Sequence, residues 1–320
     1  MPRAGPSPFT LKHALHSLLM DVMKPLCLFH KFALLGLLLC GASSVTLAQS
    51  EIRIGGSDIL GPILKPNLEA LAESRGDKLK VQFRGSIIGI KELRDDNLDF
   101  AIIAVPRDSE LPSESEYKLI PVGYFVVSIV VNNGNPLYQI NIDQLASTLG
   151  AQEGESFANW GELGLEGLWQ NRAINPALTE NEAGLTMEIL RHSTIGAGTF
   201  KADAITSEEP KEIVKHLQDD SAGIGCIPYG VKLSNLKVLQ VAPGSEQIAF
   251  APTEDNVYFG DYPLTLPFYI VARYDKIAKA KDYMKELLSN TTAELMVSNY
   301  MMPLPRTNRQ QFSLELEVGR

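Results

Sequence analysis

The chain has 320 residues, 45% hydrophobic and 21% charged, which is the make-up of a folded protein of one large or two ordinary domains and excludes a disordered or collagen-like chain. Lys and Arg number 29 against 38 Asp and Glu, a net charge of −9, so the surface repels phosphodiester backbones and a general nucleic-acid-binding role is excluded. Three scattered cysteines and five histidines exclude a disulfide framework and a multi-ligand zinc site, and no cofactor is expected.

In chain order the first feature is a leader. Lys24 and Lys31 precede an apolar run over residues 32–39, followed by small residues up to Ala48. This is the pattern of a signal peptide cut before Gln49, with Met23 as the start, and the run is shorter than the ~20 residues of a membrane-spanning helix. The expectation is therefore a periplasmic or otherwise exported protein. Removing residues 1–48 leaves 25 basic against 37 acidic residues, net −12, and a single cysteine, Cys226, in an apolar segment that suits packing.

From residue 52 strand and helix patterns alternate. Residues 52–54 predict a short strand ending in Gly55-Gly56-Ser57-Asp58, and Leu64, Leu68 and Leu71 then recur at helical spacing up to Gly76. Leu79, Val81 and Phe83 alternate as a second strand that ends at Gly85-Ser86. A short helix with Ile90 and Leu93 follows, and residues 100–105 predict a buried parallel strand. In such an α/β order, ligands bind at the carboxyl ends of the strands, which makes the first two turns candidate site loops. Residues 124–131 predict a long apolar strand, and Asn141 with Gln144 opens a helix through a capping box. Helices are expected near 183–192 and 208–218, strands at 224–227, 236–241 and 264–271, and an amphipathic helix from Ile277 to Leu288.

Taken together, several ordered stretches resemble the periplasmic phosphate-binding proteins of ABC transporters. They are Gly56-Ser57-Asp58 with Pro62, Gly85-Ser86-Ile87-Ile88-Gly89-Ile90, Leu98-Asp99-Phe100-Ala101, Val130-Val131-Asn132, Asn159-Trp160 before Glu162-Leu163-Gly164, Gly223-Ile224-Gly225-Cys226, Asn256-Val257, Tyr262-Pro263-Leu264 and Met302-Pro303-Leu304. The resemblance spans residues 51–305 and implies an α/β fold of two lobes, the type II periplasmic-binding-protein (Venus-flytrap) fold with a discontinuous first lobe. It implies residues 49–126 with 257–320 as the first lobe and 127–256 as the second. It further implies a solute-binding protein of a phosphate uptake system, a monomer working with a membrane permease and closing its lobes around phosphate or a related small oxyanion.

Carried over residue by residue, the resemblance makes Ser57, Asp58, Ser86, Gly89, Gly184 and Thr186 the ligand-binding candidates, using amides at helix starts. Ser86 serves equally as a helix N-cap, and Asp58 stands where the family usually has a hydroxyl, so it repels a dianion unless it accepts a ligand proton or caps the helix. The family's donors after the third strand correspond to Ala104 and Val105, with Arg107 as a substitute or an exposed loop residue. In the second lobe the helix start maps to Ala183-Gly184-Leu185, with Thr179 and Glu182 before it and Thr186 after, or alternatively to Gly196-Ala197-Gly198-Thr199. Tyr229, Tyr258 and Tyr262 either line the cleft or pack the lobes. His192 and His216 have no partner at catalytic or ligand spacing, and no nucleophile or phosphate-loop motif is present, so an enzyme is not expected. The competing expectation is a divergent member that keeps the fold and binds a different small ligand or a protein partner.

Overall fold

The computed structural model describes residues 50–106, 109–152, 154–180 and 184–318; the expected leader, together with Arg107, Glu182 and Ala183, lies outside the described residues. The chain is mixed α/β. It begins with strand β1 (Glu51–Gly56), helix α1 (Leu60–Arg75), strand β2 (Lys78–Gln82), helix α2 (Ser86–Arg94) and strand β3 (Phe100–Ala104). Leu60, Leu64, Leu68 and Ala72 make the buried stripe of α1, and Gly76 in the left-handed region (φ 70°) ends it. β3 is an unbroken apolar run because Phe100 and Ile102 pack in one cluster with α1 while Ala101 and Ile103 pack in another with Leu93 of α2.

Strand β4 (Tyr117–Asn132) is followed by β5 (Gln139–Asn141), α3 (Ile142–Leu149), β6 (Asn175–Thr179), α4 (Leu185–Leu190), β7 (Ile205–Ser207), α5 (Pro210–Asp219), β8 (Gly223–Pro228), β9 (Leu236–Val238) and β10 (Gln240–Ala242). The chain then adds α6 (Glu254–Phe259), β11 (Thr265–Arg273), α7 (Tyr274–Leu287), α8 (Asn290–Ser298), β12 (Met301–Pro303) and α9 (Arg306–Val318). No helix among the described residues is long and apolar enough to cross a membrane. The predicted capping box of α3 is present, with Asn141 and Gln144 exchanging side-chain to backbone bonds. β4 starts seven residues earlier than its hydrophobic run suggests, and β6, α8 and α9 are additional to the predicted elements.

The main sheet has the order β2-β1-β3-β11-β4-β8-β6-β7, and β4 is the member that both halves share. Its first part pairs with β11, from Tyr117 opposite Arg273 to Val126 opposite Thr265. Its last part pairs with β8, Val127 lying opposite Pro228. β1, β2 and β3 are mutually parallel, and because β11 is antiparallel to both β3 and β4, the trio runs in the same sense as β4. β6, β7 and β8 are parallel to one another and run against β4. The carboxyl ends of the two parallel sets therefore face each other across the middle of β4. Through Phe268 the end of β3 at Ala104 is level with Gly123, and the end of β8 is level with Val127. Four residues of strand at about 3.3 Å each place the two rims about 13 Å apart along β4.

Where β4 changes partners, Tyr262 is fully buried and donates its hydroxyl to the Val127 carbonyl at 2.6 Å, while the Val127 amide donates to the Leu264 carbonyl at 3.0 Å. Tyr262 thus bolts the crossing, which assigns it to packing. On the far side α9 is held by Arg309, which donates to the carbonyls of Leu304 (3.0 Å), Leu288 (3.2 Å) and Ser289 (2.8 Å) and to Asn290 Oδ1 (3.2 Å). Lys281 Nζ lies 2.9 Å from Glu317 Oε2, and Lys285 also bonds Glu317, joining α7 to the end of α9. Lys285 and then Lys281 hold the Glu317 carboxyl down to about 2 from an ordinary 4.5. A depressed acid stabilises the fold above its unfolded pKa and loses that contribution as pH falls through its folded one. Wild type and Glu317→Gln are thus expected to differ in urea midpoint at pH 7 and to converge between about pH 4.5 and 2; parallel profiles would remove the clamp.

Candidate functional site

The β1–α1 corner is closed by its own atoms. Gly56 has φ 115°, and a Cβ there would lie 1.9 Å from the Ile102 carbonyl oxygen, so the backbone approaches β3 as only glycine allows. Ser57 is fully buried; its amide donates to the Ile102 carbonyl at 2.6 Å, and its Oγ accepts from the amides of Ile59 (3.2 Å) and Leu60 (3.3 Å). The Gly61 amide donates to the Ser57 carbonyl at 3.1 Å. The amides of Ile59, Leu60 and Gly61 are thereby spent on Ser57; Asp58 is exposed and does not cap the helix. The Ser57 amide, expected near the ligand, is thus committed to Ile102, and of the readings of Asp58 the capping one is removed.

The β2–α2 corner is different. Gly85 (φ 110°) donates its amide to the Gly56 carbonyl at 2.8 Å, latching this corner to the first. The Gly89 amide donates to the Gly85 carbonyl at 3.0 Å, and a Cβ on Gly89 would lie 2.5 Å from Gly56 Cα. Gly89 is therefore the contact that seats α2 on β1, and its amide, expected near the ligand, is committed inside the helix. The three amides ahead of it, on Ser86, Ile87 and Ile88, have no carbonyl one turn back within the helix. Ser86 Oγ accepts from the Ala104 amide at 2.8 Å, tying α2 to the end of β3; a hydroxyl that accepts still has its proton to donate. Ser86 occupies the first helical position behind Gly85 and is not the N-cap. Ile87 and Ile88 on the same turn are 83% and 42% exposed.

Sequence reasoning missed Arg84 on this corner. Its guanidinium bonds Gln82 Oε1 at 2.9 Å and also Glu92, whose other carboxylate oxygen is buried and unpartnered. The signal was a basic residue directly before Gly85-Ser86, in the loop already singled out.

On the opposite rim Gly184 (φ 60°) is the N-cap of α4 and its carbonyl accepts from the Glu188 amide at 2.9 Å. Thr186, in the first turn of α4, and Thr179, the last residue of β6, are each 1% exposed, and both hydroxyls are buried without a hydrogen-bond partner. Leaving such a group unpaired costs about 1–3 kcal/mol. Glu180 follows β6 and Glu208 and Glu209 follow β7 on this side, and Asp58 stands on the other, so acids outnumber the described bases Arg84 and Lys232 on the rim loops.

The alternative Gly196-Ala197-Gly198-Thr199 sits elsewhere. α4 runs into a π-helical turn over Arg191–Ile195, and Gly196 closes its carboxyl end by donating to the Arg191 carbonyl at 2.8 Å. Ala197, Gly198 and Thr199 border a cavity of about 360 Å³ with Ser147 and Thr194, at a helix carboxyl end, where partial negative charge repels an anion. Tyr229 is half-buried just beyond β8, its amide donating to the Val126 carbonyl at 2.8 Å, and burial pushes its hydroxyl pKa up. Cys226 is fully buried and its thiol is pushed up by that burial, as its apolar segment predicts.

The arrangement has counterparts among known proteins. Protein SphX of Synechococcus elongatus is 25% identical over 269 residues, covering 80% of this chain and 78% of that protein. A possible phosphate binding protein from Planctomyces limnophilus superposes with a TM-score of 0.66 at 18% identity, covering 85% of this chain and 99% of the other. PstS from Borrelia burgdorferi gives 0.64 at 19% identity, with 80% and 99% covered. An ABC-type phosphate transport receptor from Vibrio cholerae gives 0.56 at 21% identity, with 78% and 99% covered. These likenesses establish the fold, and residues 41–291 match the family described as the PBP superfamily domain, to which this chain belongs.

Proposed function

We propose that this chain is an exported, non-enzymatic solute-binding protein of an ABC-type uptake system, holding phosphate or a related small oxyanion between two lobes. The lobes are residues 49–126 with 257–320, and 127–256, meeting where β4 changes partners between Val126 and Val127. One observation carries the reading: the open amides and the Ser86 hydroxyl at the start of α2 face, across the middle of β4, a rim with two buried unpartnered hydroxyls, Thr179 and Thr186. Amides at a helix start and hydroxyls bind oxyanions without a fully charged partner, which suits a rim with few bases. The leader-like residues before Gln49 support export. The names of the structural neighbours, a phosphate binding protein and a phosphate transport receptor, support phosphate and a membrane permease as partner. The chain acts as a monomer, and its acidic surface has no use for nucleic acid.

The test is a calorimetric and thermal-shift titration of the chain from Gln49 onward with phosphate, then sulfate and molybdate. A single-site heat and a raised Tm are expected at or below millimolar anion; neither signal with any of the three refutes the reading. Asp58→Asn is expected to tighten binding severalfold at low ionic strength, with the gain shrinking in high salt because an exposed charge is screened within about 10 Å at 0.1 M. No change would place Asp58 away from the ligand.

A further inference from the structure

We infer that the oxyanion this cleft selects carries an apolar substituent, as in an alkyl phosphonate or a phosphate monoester, and that Ile87 and Ile88 receive that substituent; the inference rests on the oxyanion reading above. The side chains of Ile90 and Leu93 pack inward from α2, whereas Ile87 and Ile88, on its first turn, stand 83% and 42% exposed. First-turn positions of a surface helix favour small polar or acidic residues, and two adjacent isoleucines with this much exposed surface depart from that pattern. Cα–Cβ bonds tilt toward the helix N-terminus, which leans both side chains over the start of α2, the end turned toward the opposite rim.

The chemistry of the rims agrees. Uncharged donors on the rims include three amides and the Ser86 hydroxyl on one side and the Thr179 and Thr186 hydroxyls on the other. An oxygen pressed against isoleucine would lose its hydration without a hydrogen bond in return, whereas carbon in that position gains by leaving water. The described charges point the same way. Arg84 is tied to Glu92, and Asp58, Glu180, Glu208 and Glu209 stand on the rim loops, so Coulomb attraction alone is a weak source of affinity for a bare dianion.

The experiment titrates the chain from Gln49 onward, at one pH, with inorganic phosphate and with methyl-, propyl- and butylphosphonate, which share a head group and differ in apolar length. Affinity is expected to rise about fourfold per buried methylene, leaving butylphosphonate well ahead of phosphate. In the double variant Ile87→Ser, Ile88→Ser the ratio of butylphosphonate to methylphosphonate affinity should fall toward one. The same ratio should stay at its wild-type value in Leu314→Ser, an exposed apolar residue on α9. Phosphate binding as tightly as the longest phosphonate, or a chain-length series that is flat in wild type, overturns this inference and leaves the oxyanion cleft standing. No binding of any of the four compounds overturns both.

Discussion

Gly56→Ala is expected to lower stability by about 4 kcal/mol, at the upper end of what single substitutions do, because two independent penalties meet at one position. The first is conformational: φ 115° lies where a residue with a Cβ is strained, at about 1–3 kcal/mol. The second is steric. The new Cβ would lie 1.9 Å from the Ile102 carbonyl oxygen and 2.8 Å from its carbon, both backbone atoms of the neighbouring strand. That carbonyl cannot retreat freely, because it accepts the Ser57 amide at 2.6 Å and Gly56 is in register with Ile102. For a domain of this size the loss corresponds to a fall in Tm of roughly 8–16 °C. Gly85→Ala separates the two penalties, since Gly85 has nearly the same φ, 110°, but open space where its Cβ would go. It should cost only the strain. Equal losses for the two variants would show that β3 yields to the added methyl and that the close approach is not what fixes the corner.

That corner explains much of what was legible in the sequence. Gly55-Gly56-Ser57 after an alternating strand and Gly85-Ser86 after another are turn chemistry written locally, and the two turns do latch, Gly85 to Gly56. The strands of the parallel trio and the inward stripe of α1 follow from periodicities of 2 and 3.6. The elements that were not legible lack such periodicity. β6 reads Asn-Pro-Ala-Leu-Thr, and a proline within five residues conceals a strand that pairs on both sides. α9 buries only Arg309 and Leu316 along its length, held by a guanidinium on four oxygens instead of an apolar face. The early start of β4 is set by its pairing with β11, a contact more than 140 residues away in sequence.

The site was legible as a set of corners but not as a set of free atoms. Ser57, Ser86 and Thr186 are all hydroxyl residues at or near helix starts, yet their hydrogen bonds differ. Ser57 is spent on the amides of Ile59 and Leu60, Ser86 accepts one amide and keeps a proton, and Thr186 is buried with nothing. Gly89 and Gly184 share a residue type but not a role: one is a packing contact whose amide closes the helix, the other a left-handed cap. Which donor remains available depends on the distance to a neighbouring strand, and a lone sequence does not encode that distance locally. Arg84 shows the reverse case, where the charge was visible and its detention by Glu92 was not.

Ser86→Asp is expected to abolish oxyanion binding while leaving the fold intact, and the separation of those two effects makes it the decisive variant. Aspartate keeps an oxygen that can accept from the Ala104 amide, the bond that ties α2 to β3. A carboxylate in the first turn of α2 is also favoured by the helix dipole, so Tm should change little. At the ligand, by contrast, a donor is replaced by a negative charge. At about 4 Å and an effective dielectric near 20, repulsion between two unit charges is roughly 4 kcal/mol, or about a thousandfold in affinity. Ser86→Ala provides the neutral comparison: it loses the hydroxyl donor and leaves the Ala104 amide without its acceptor, so it should lower both affinity and stability modestly, by about 1 kcal/mol each. The order of anion affinity is therefore wild type, then alanine, then aspartate, whereas the order of Tm puts aspartate at or above alanine. Calorimetry and thermal melts on the three proteins read both orders directly. An aspartate variant that binds the anion as tightly as wild type would remove the start of α2 from the site and with it the convergence of the two rims on a ligand.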